Sequence, residues 1–575
     1  MQTLLYRTRA ELSLRSFSVR EWLVLGTVTA FGLLLRAGTQ WGRLFIGDEI
    51  ATLTYMKKST GYLLTHFGGQ LTMNYFILAE KALAWLSGAI DWRVTLLPLA
   101  AAVAVIPLTA AVALKFTGSS LTALIAASLV AFNPYLIAYG PMIRAYSLLA
   151  AFSLLAINEF LYWYHERDWW SGGRCGAAVL LLLLVHLNGI YTVVFLILLF
   201  VIETASVGWS GARKFLWDSK TLWIPLVVAG GLAVLAYCRL LPDIAKYSKE
   251  WTDTPPTSME YLTWVFGDYF AHGYKAFFFA TLLLLGLWSA TQEQKPLLLL
   301  WGAVALGPIL MSLRGISVYP WAYARFLIFS LPLLLILLAE AVDWLATHSS
   351  VRRPAAVAVT AWALAALIVL CWAPDLAVRL RDNRTFARMA ESLRSQFHTG
   401  DVILTSSTDY FGTIMTTIFG MPEELSHSLI APRDYVNKLA DHRDAPMPGR
   451  VFYIAWAVAG STARQVPVQR FRQLEIATYA GNTAGTLLEE WRQDLLRRTE
   501  HRIDANLQDD YQLLALIEEQ LPSGQSPDHW RLLAERCREL TPAARHLPPQ
   551  ILRTIPDFAN HKPTSGASAQ KNPPK

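Results

Sequence analysis

The chain has 575 residues, 54% of them hydrophobic and 16% charged, with a mean hydropathy of +0.34. That balance excludes a soluble enzyme of this length and predicts a polytopic α-helical membrane protein. The formal charge of +7 is modest and much of it falls in predicted inside loops, so no nucleic-acid partner is implied. Cys175, Cys238, Cys371 and Cys537 have neither a metal-ligand spacing nor a disulfide framework.

Apolar windows of roughly 17 to 25 residues, the length that crosses a hydrocarbon core of about 30 Å, recur from residue 21 to about residue 373. They predict about eleven helices: 21–38, 94–114, 121–138, 145–164, 175–187, 189–205, 222–241, 274–290, 297–313, 326–345 and 355–373. Arg7, Arg9, Arg15 and Arg20 precede the first, which has no small-residue cleavage site after it, so residues 1–20 are expected inside and the first helix is an uncleaved anchor. With that parity Lys and Arg are roughly twice as dense in the inside loops as in the outside ones. An odd number of spans then places the C-terminal region outside, in a periplasm-like compartment.

The first outer loop, 39–93, is long enough to be functional. It carries Asp48-Glu49 and then "TMNYFILAEKALAWLSG" (72–88), where Glu80 and Lys81 make a membrane span costly and predict an interfacial helix. Asn133-Pro134 ends the third helix, and Arg144 opens the fourth, flanked by Tyr139 and Tyr146. His186 interrupts the apolar hairpin "LLLLLVHLNGIYTVVF"; a polar residue at such depth is a functional candidate or a helix-to-helix hydrogen bond. A second outer loop, 242–273, with Pro255-Pro256 reads as a semi-ordered flap. Arg325 stands at the start of the tenth helix, behind Trp321 and Tyr323.

From 374 the texture turns soluble. "RDNRTFARMAESLRSQFH" reads as a helix, "DVILTSS", "GRVFYIAWAV" and "FRQLEIATYA" as strands, Tyr410–Phe419 as a helix, and 484–520 and 527–540 as charged helices. Residues 374–560 are thus an expected outer α/β plus helical domain and 561–575 a disordered tail.

Asp48 and Glu49 read alone are as consistent with ordinary loop charge as with chemistry, and Arg144 and Arg325 with snorkelling to headgroups. The expected topology returns all four to one membrane surface, where guanidinium groups can clamp a phosphate. In order and spacing, Asp48-Glu49, "QLTMNYFILAEKALAWLSG", "DWRVTLLPLAAAVAVIPLTAAVAL", "NPYLIAYGPMIRAYSLLAAF" and "YARFLIFSLPLLLILLAE" resemble the successive blocks of the GT-C membrane glycosyltransferases, nearest the protein O-mannosyltransferase and lipid A aminoarabinose transferase branch. The resemblance covers residues 20 to about 345; Gln70-Leu71-Thr72-Met73-Asn74 departs from it, lacking the family's His or Lys and paired prolines.

The resemblance implies a multi-pass protein of a bacterial inner membrane that moves a sugar from a polyprenyl-phosphate donor to a hydroxyl of a glycolipid, glycan or protein acceptor. It makes Asp48 and Glu49 catalytic and puts Arg144 and Arg325 on the donor phosphate. Tyr139, Tyr146, Lys57, Lys58, His66, Asn74, His186 and Tyr323 are further candidates for substrate contact. No cofactor is required, no Asp-x-Asp motif occurs, and a divalent metal is not indicated. The rival readings are a transporter of lipid-linked sugars, a lipid-glycan receptor, or a polymerase or ligase using pyrophosphate-linked glycans.

Overall fold

The computed structural model describes residues 17–40, 48–66, 73–88, 92–206, 215–244, 258–292, 324–349 and 353–380, and then 385–398, 400–405, 429–430, 432–441, 449–456, 467–471, 474–480, 482–499, 513–514 and 516–517. The chain divides into two compact units, Met1–Arg384 and Thr385–Lys575.

The first unit is helical. Seven helices among the described residues are long and apolar enough to cross a membrane: Val19–Gln40, Arg93–Thr117, Tyr146–Glu166, Lys220–Tyr237, Tyr274–Gln292, Ala324–Thr347 and Pro354–Ala377. Ser120–Phe132, Trp169–Val185 and Leu187–Ile202 are shorter apolar helices. The expected span at 297–313 lies outside the described residues, as do Pro255-Pro256, the helix at 410–419, the helix at 527–540 and the tail. The second half of the expected flap is an ordered helix, Ser258–Tyr269.

The helix after Ser120 breaks where the sequence says it must. Pro134 has no N–H, and Asn133 turns the chain by accepting the Leu136 N–H at 3.0 Å, which starts the short helix Pro134–Tyr139. A helix end buried in apolar surroundings leaves carbonyls without partners. Buried Arg36 supplies them from the first helix, donating to Val130 O (2.9 Å) and Ala131 O (3.0 Å). Asn133 also donates to Tyr269 O at 2.9 Å, and Tyr269 Oη to Ala324 O at 2.9 Å. The break thereby gathers three distant segments at one end of the bundle.

The helix at Asn74–Ser87 has 14 residues, about 21 Å at 1.5 Å per residue, too short to cross a core of about 30 Å. Its exposed end carries Trp85 and Leu86, and its other face packs Phe76, Ile77, Glu80 and Ala84 inward. Glu80 is therefore not the exposed charge its sequence position suggests. Neither of its carboxyl oxygens has a hydrogen-bond partner, and burial pushes its pKa up to about 9.

The second unit holds a five-stranded sheet in the order β2-β1-β3-β5-β4, where β1 is Val402–Leu404, β2 Leu429–Ile430, β3 Val451–Trp456, β4 Val468–Phe471 and β5 Leu474–Tyr479. β1 runs parallel to β2 and β3; β5 is antiparallel to β3 and β4. The strand expected over 471–480 is thus the second arm of a hairpin, and β2 was not expected because two residues show no periodicity. Tyr453, Tyr479 and the Ala484–Thr499 helix, through Leu487, Leu488 and Trp491, build the core.

Candidate active site

The helix Asp48–Met56 begins with the acidic pair. Glu49 is fully buried, and its Oε1 accepts the Ile143 N–H at 2.9 Å. One turn on, buried Thr52 shares that face and accepts from Arg144 Nη1 through Oγ1 at 3.3 Å. Ala145 N–H reaches Met73 Sδ at 3.5 Å. The turn 143–145 is thus held by three groups from the 48–73 region, and Arg144, only 4% exposed, is fixed between them.

Two local features set the turn. Gly140 has no room for a side chain: a Cβ there would meet Leu136 O at 2.4 Å and Ala102 Cβ at 2.8 Å. Immediately after it, Tyr146 opens the helix to Glu166, whose N-terminal dipole favours negative charge at the same place as the guanidinium.

An aromatic set surrounds the arginine. The Arg144 guanidinium lies 5.7 Å from the Tyr146 ring centre, and Arg325 lies 5.3 Å from Phe326. Tyr146 and Phe326 are 6.2 Å apart, as are Tyr139 and Tyr146, and Tyr139 stacks on Tyr135 at 4.4 Å. His186 sits 6.0 Å from Phe326. Tyr135 and Tyr146 are buried while Tyr139 is only half-buried, so it is the ring of this stack that a ligand can reach.

Of the residues expected from sequence, Glu49, Arg144, Tyr146, Tyr139, His186 and Arg325 come together here. Asp48 opens the same helix as Glu49. Lys57, Lys58 and His66 are exposed on the segment that follows; Lys58 lies over the Tyr62 ring at 5.7 Å and His66 stacks on it at 4.6 Å. Asn74 is buried and donates to Leu63 O (2.6 Å) and His66 O (3.0 Å), which ties the Thr60–Thr65 helix to its own. Tyr323 lies outside the described residues. Thr52, Met73 and Arg36 escaped sequence reading; of these only Thr52 carried a signal, its i, i+3 spacing from Glu49. Among the described residues no cluster of His, Cys, Asp and Glu is set to hold a metal ion.

No protein-family model matches the chain, and no curated protein matches it significantly in sequence. Among solved structures, ArnT from Cupriavidus metallidurans in the apo state matches 81% of this chain and 98% of its own, with a TM-score of 0.52 and 13% identity. The same protein bound to undecaprenyl phosphate matches 80% and 98%, with a TM-score of 0.47 and 13% identity. The Saccharomyces cerevisiae Pmt1-Pmt2 complex bound to the sugar donor matches 40% of this chain and 35% of that chain, with a TM-score of 0.34 and 16% identity. The last two likenesses are too loose to carry an argument, and the first is a likeness of fold. The chain shares the fold of that first structure over most of both chains.

Proposed function

We propose that the chain is an inverting glycosyltransferase that moves a sugar from a polyprenyl-phosphate donor to a hydroxyl acceptor at the periplasmic face of a bacterial inner membrane. One observation carries the reading: the helix that opens with Asp48-Glu49 is bonded through Glu49 and Thr52 to the turn that carries Arg144. A carboxylate-bearing helix and a phosphate-type cation are thereby locked into one local structure. The fold agrees with this by analogy only.

In the proposed reaction Asp48 is the general base. It takes the proton of the acceptor hydroxyl as that oxygen attacks the anomeric carbon. The bond from the anomeric carbon to the phosphate oxygen breaks, its electron pair stays with the phosphate, and the configuration inverts. Arg144 and Arg325 stabilise the charge that gathers on the leaving polyprenyl phosphate, helped by the helix N-terminus beside Arg144. The phosphate leaves as an anion, so no general acid is needed. Glu49, its Oε1 taken by the Ile143 N–H, is a positioning residue for the Arg144 turn. Tyr139 offers a half-exposed ring to the sugar or the prenyl chain. The C-terminal α/β unit is assigned to acceptor recognition.

The test uses the full chain in lipid vesicles with a radiolabelled sugar on polyprenyl phosphate. Acceptor-dependent appearance of free polyprenyl phosphate and of an inverted glycoside is expected. Movement of intact donor between leaflets without cleavage would replace this reading by that of a carrier, which needs Arg144 but no base at 48.

A further inference from the structure

The helix Asn74–Ser87 is tied to its surroundings at its start and carries an unpartnered carboxyl about two turns further on. Met73 Sδ accepts the Ala145 N–H at 3.5 Å, Asn74 Nδ2 donates to Leu63 O and His66 O, and Tyr75 Oη donates to Ala236 O at 2.6 Å. The first of these links goes to the turn that carries Arg144. Glu80 lies on the inward face with Phe76, Ile77 and Ala84, fully buried, and neither of its oxygens is hydrogen-bonded.

The helix packs against Asp48–Met56, Thr60–Thr65, Trp92–Thr95 and Trp169–Val185. Their titratable groups are Asp48, Glu49, Tyr55, Tyr62, Arg93, Arg174 and Cys175, and Tyr237 meets the helix through Tyr75. None of them bonds to either Glu80 oxygen. Glu49 accepts the Ile143 N–H, Arg93 donates to Ser87 O at 2.6 Å, Arg174 pairs with Glu159, and Lys81 donates to Lys58 O.

A carboxylate in this seat is a buried charge without a counter-charge, so the seat takes Glu80 only with its proton. Packing does not call for a carboxyl, because a methionine of similar volume fills such a site without titrating. With the helix seated, burial holds the proton up to about pH 9; unseated, the group ionises in the ordinary carboxylate range. Unseating therefore releases one proton, and between those limits each rise of one pH unit makes it about tenfold easier.

We infer that Glu80 is a positioning residue whose proton latches the helix 74–87 to the Arg144 turn: the neutral carboxyl seats the helix, and ionisation withdraws Met73 from the Ala145 N–H. One of the three groups that hold the turn is then lost, and Arg144 with it loses its fixed place. Glu80 itself touches no substrate. Its effect on the reaction rests on the assignment of Arg144 to the donor phosphate under the proposed function.

The full chain in nanodiscs is compared with Glu80→Gln, which keeps the shape and removes the titration, from about pH 5 to about pH 9. Glu80→Met is a second variant that does not titrate, so a folding defect in one leaves the comparison in place. Amide hydrogen exchange over 74–87 and 143–147, corrected for its intrinsic pH dependence, is read beside affinity for undecaprenyl phosphate. Protection of both segments in the wild type is expected to fall relative to the variants by about tenfold per pH unit, and its affinity to weaken toward the alkaline end while theirs does not. The same pH dependence in all three proteins overturns the inference. A change confined to 74–87 overturns it as well, because Glu80 then has no hold on Arg144. If the wild type binds no undecaprenyl phosphate at any pH, the donor assignment falls, and exchange over 143–147 still decides whether Glu80 positions the turn.

Discussion

The two ends of the membrane unit treat charge differently. At the end away from Arg144, about 20 Å along the Tyr146–Glu166 helix at 1.5 Å per residue, charged and polar side chains satisfy one another. Lys115 Nζ donates to Asn158 Oδ1 at 2.8 Å, Asn158 donates to Glu159 at 3.1 Å, and Arg174 pairs with Glu159 at 2.8 Å while still 38% exposed. Asp343 accepts from Ser119 and Thr122 at 2.8 and 2.5 Å. At the other end, backbone groups and hydroxyls take part in the holding: Ile143 N–H for Glu49, Thr52 Oγ1 for Arg144, and three carbonyls for Arg36. The first pattern is self-neutralising and cross-links helices. The second ties charged groups to backbone and hydroxyl dipoles, which fixes their positions.

If that contrast is right, substitutions of similar chemistry have unequal consequences at the two ends. The largest expected effect is that of Arg144→Ala, which should cut affinity for undecaprenyl phosphate by a hundredfold or more, since a guanidinium to phosphate contact is lost together with its charge, roughly 3 kcal/mol. Gly140→Ala follows. The methyl has to displace Leu136 O or Ala102, at a cost of about 1–3 kcal/mol, and transfer should fall with stability because the displaced turn carries Arg144; melting of the purified variant checks this. Thr52→Val should weaken the same binding about tenfold or less, by loosening Arg144 and leaving its charge in place. At the opposite end Arg174→Ala should cost about 1–3 kcal/mol of stability, because Glu159, only 13% exposed, loses its cation, and should leave transfer unaltered. An Arg174 effect on donor binding as large as that of Arg144 would erase the distinction between the ends.

Glu80 sharpens the comparison through pH. Its carboxyl keeps its proton in the folded chain up to about pH 9, whereas in the unfolded chain it ionises in the ordinary carboxylate range. Between those limits the unfolded state binds fewer protons, so this group's contribution to stability falls as pH rises from about 5 to about 9 and levels off beyond. Glu80→Gln has no such titration. Its stability relative to wild type should rise with pH across that window by an amount of order a few kcal/mol, measured as the difference of the two melting curves; a difference independent of pH would mean that the carboxyl is ionised in the folded chain.

Much of this site was legible in the sequence, for identifiable reasons. Arg144 stands out because it interrupts an apolar run next to a Pro-marked helix break, and the acidic pair stands out because so few charges surround it. The break at Asn133-Pro134 is a local rule and needs no tertiary information. What binds these pieces together was not legible. Glu49 is held by a backbone N–H, which every residue but proline has, and Arg36 by carbonyls, so neither partner is encoded by residue type. Glu80 was counted as a charge because its protonation depends on burial, a property of the packed helix at Asn74–Ser87. In the second unit, β3 was legible from its β-branched and aromatic content, while β2, two residues long, leaves no pattern at all.

The central claim is that Asp48 supplies the base while Arg144 holds the donor phosphate. It is tested most directly by measuring transfer and undecaprenyl phosphate binding side by side in Asp48→Asn. The account predicts that transfer falls by about a hundredfold to ten-thousandfold, the contribution of a positioned general base, while binding stays at the wild-type level. Turnover at the wild-type rate, or a loss of binding that matches the loss of transfer, would contradict it.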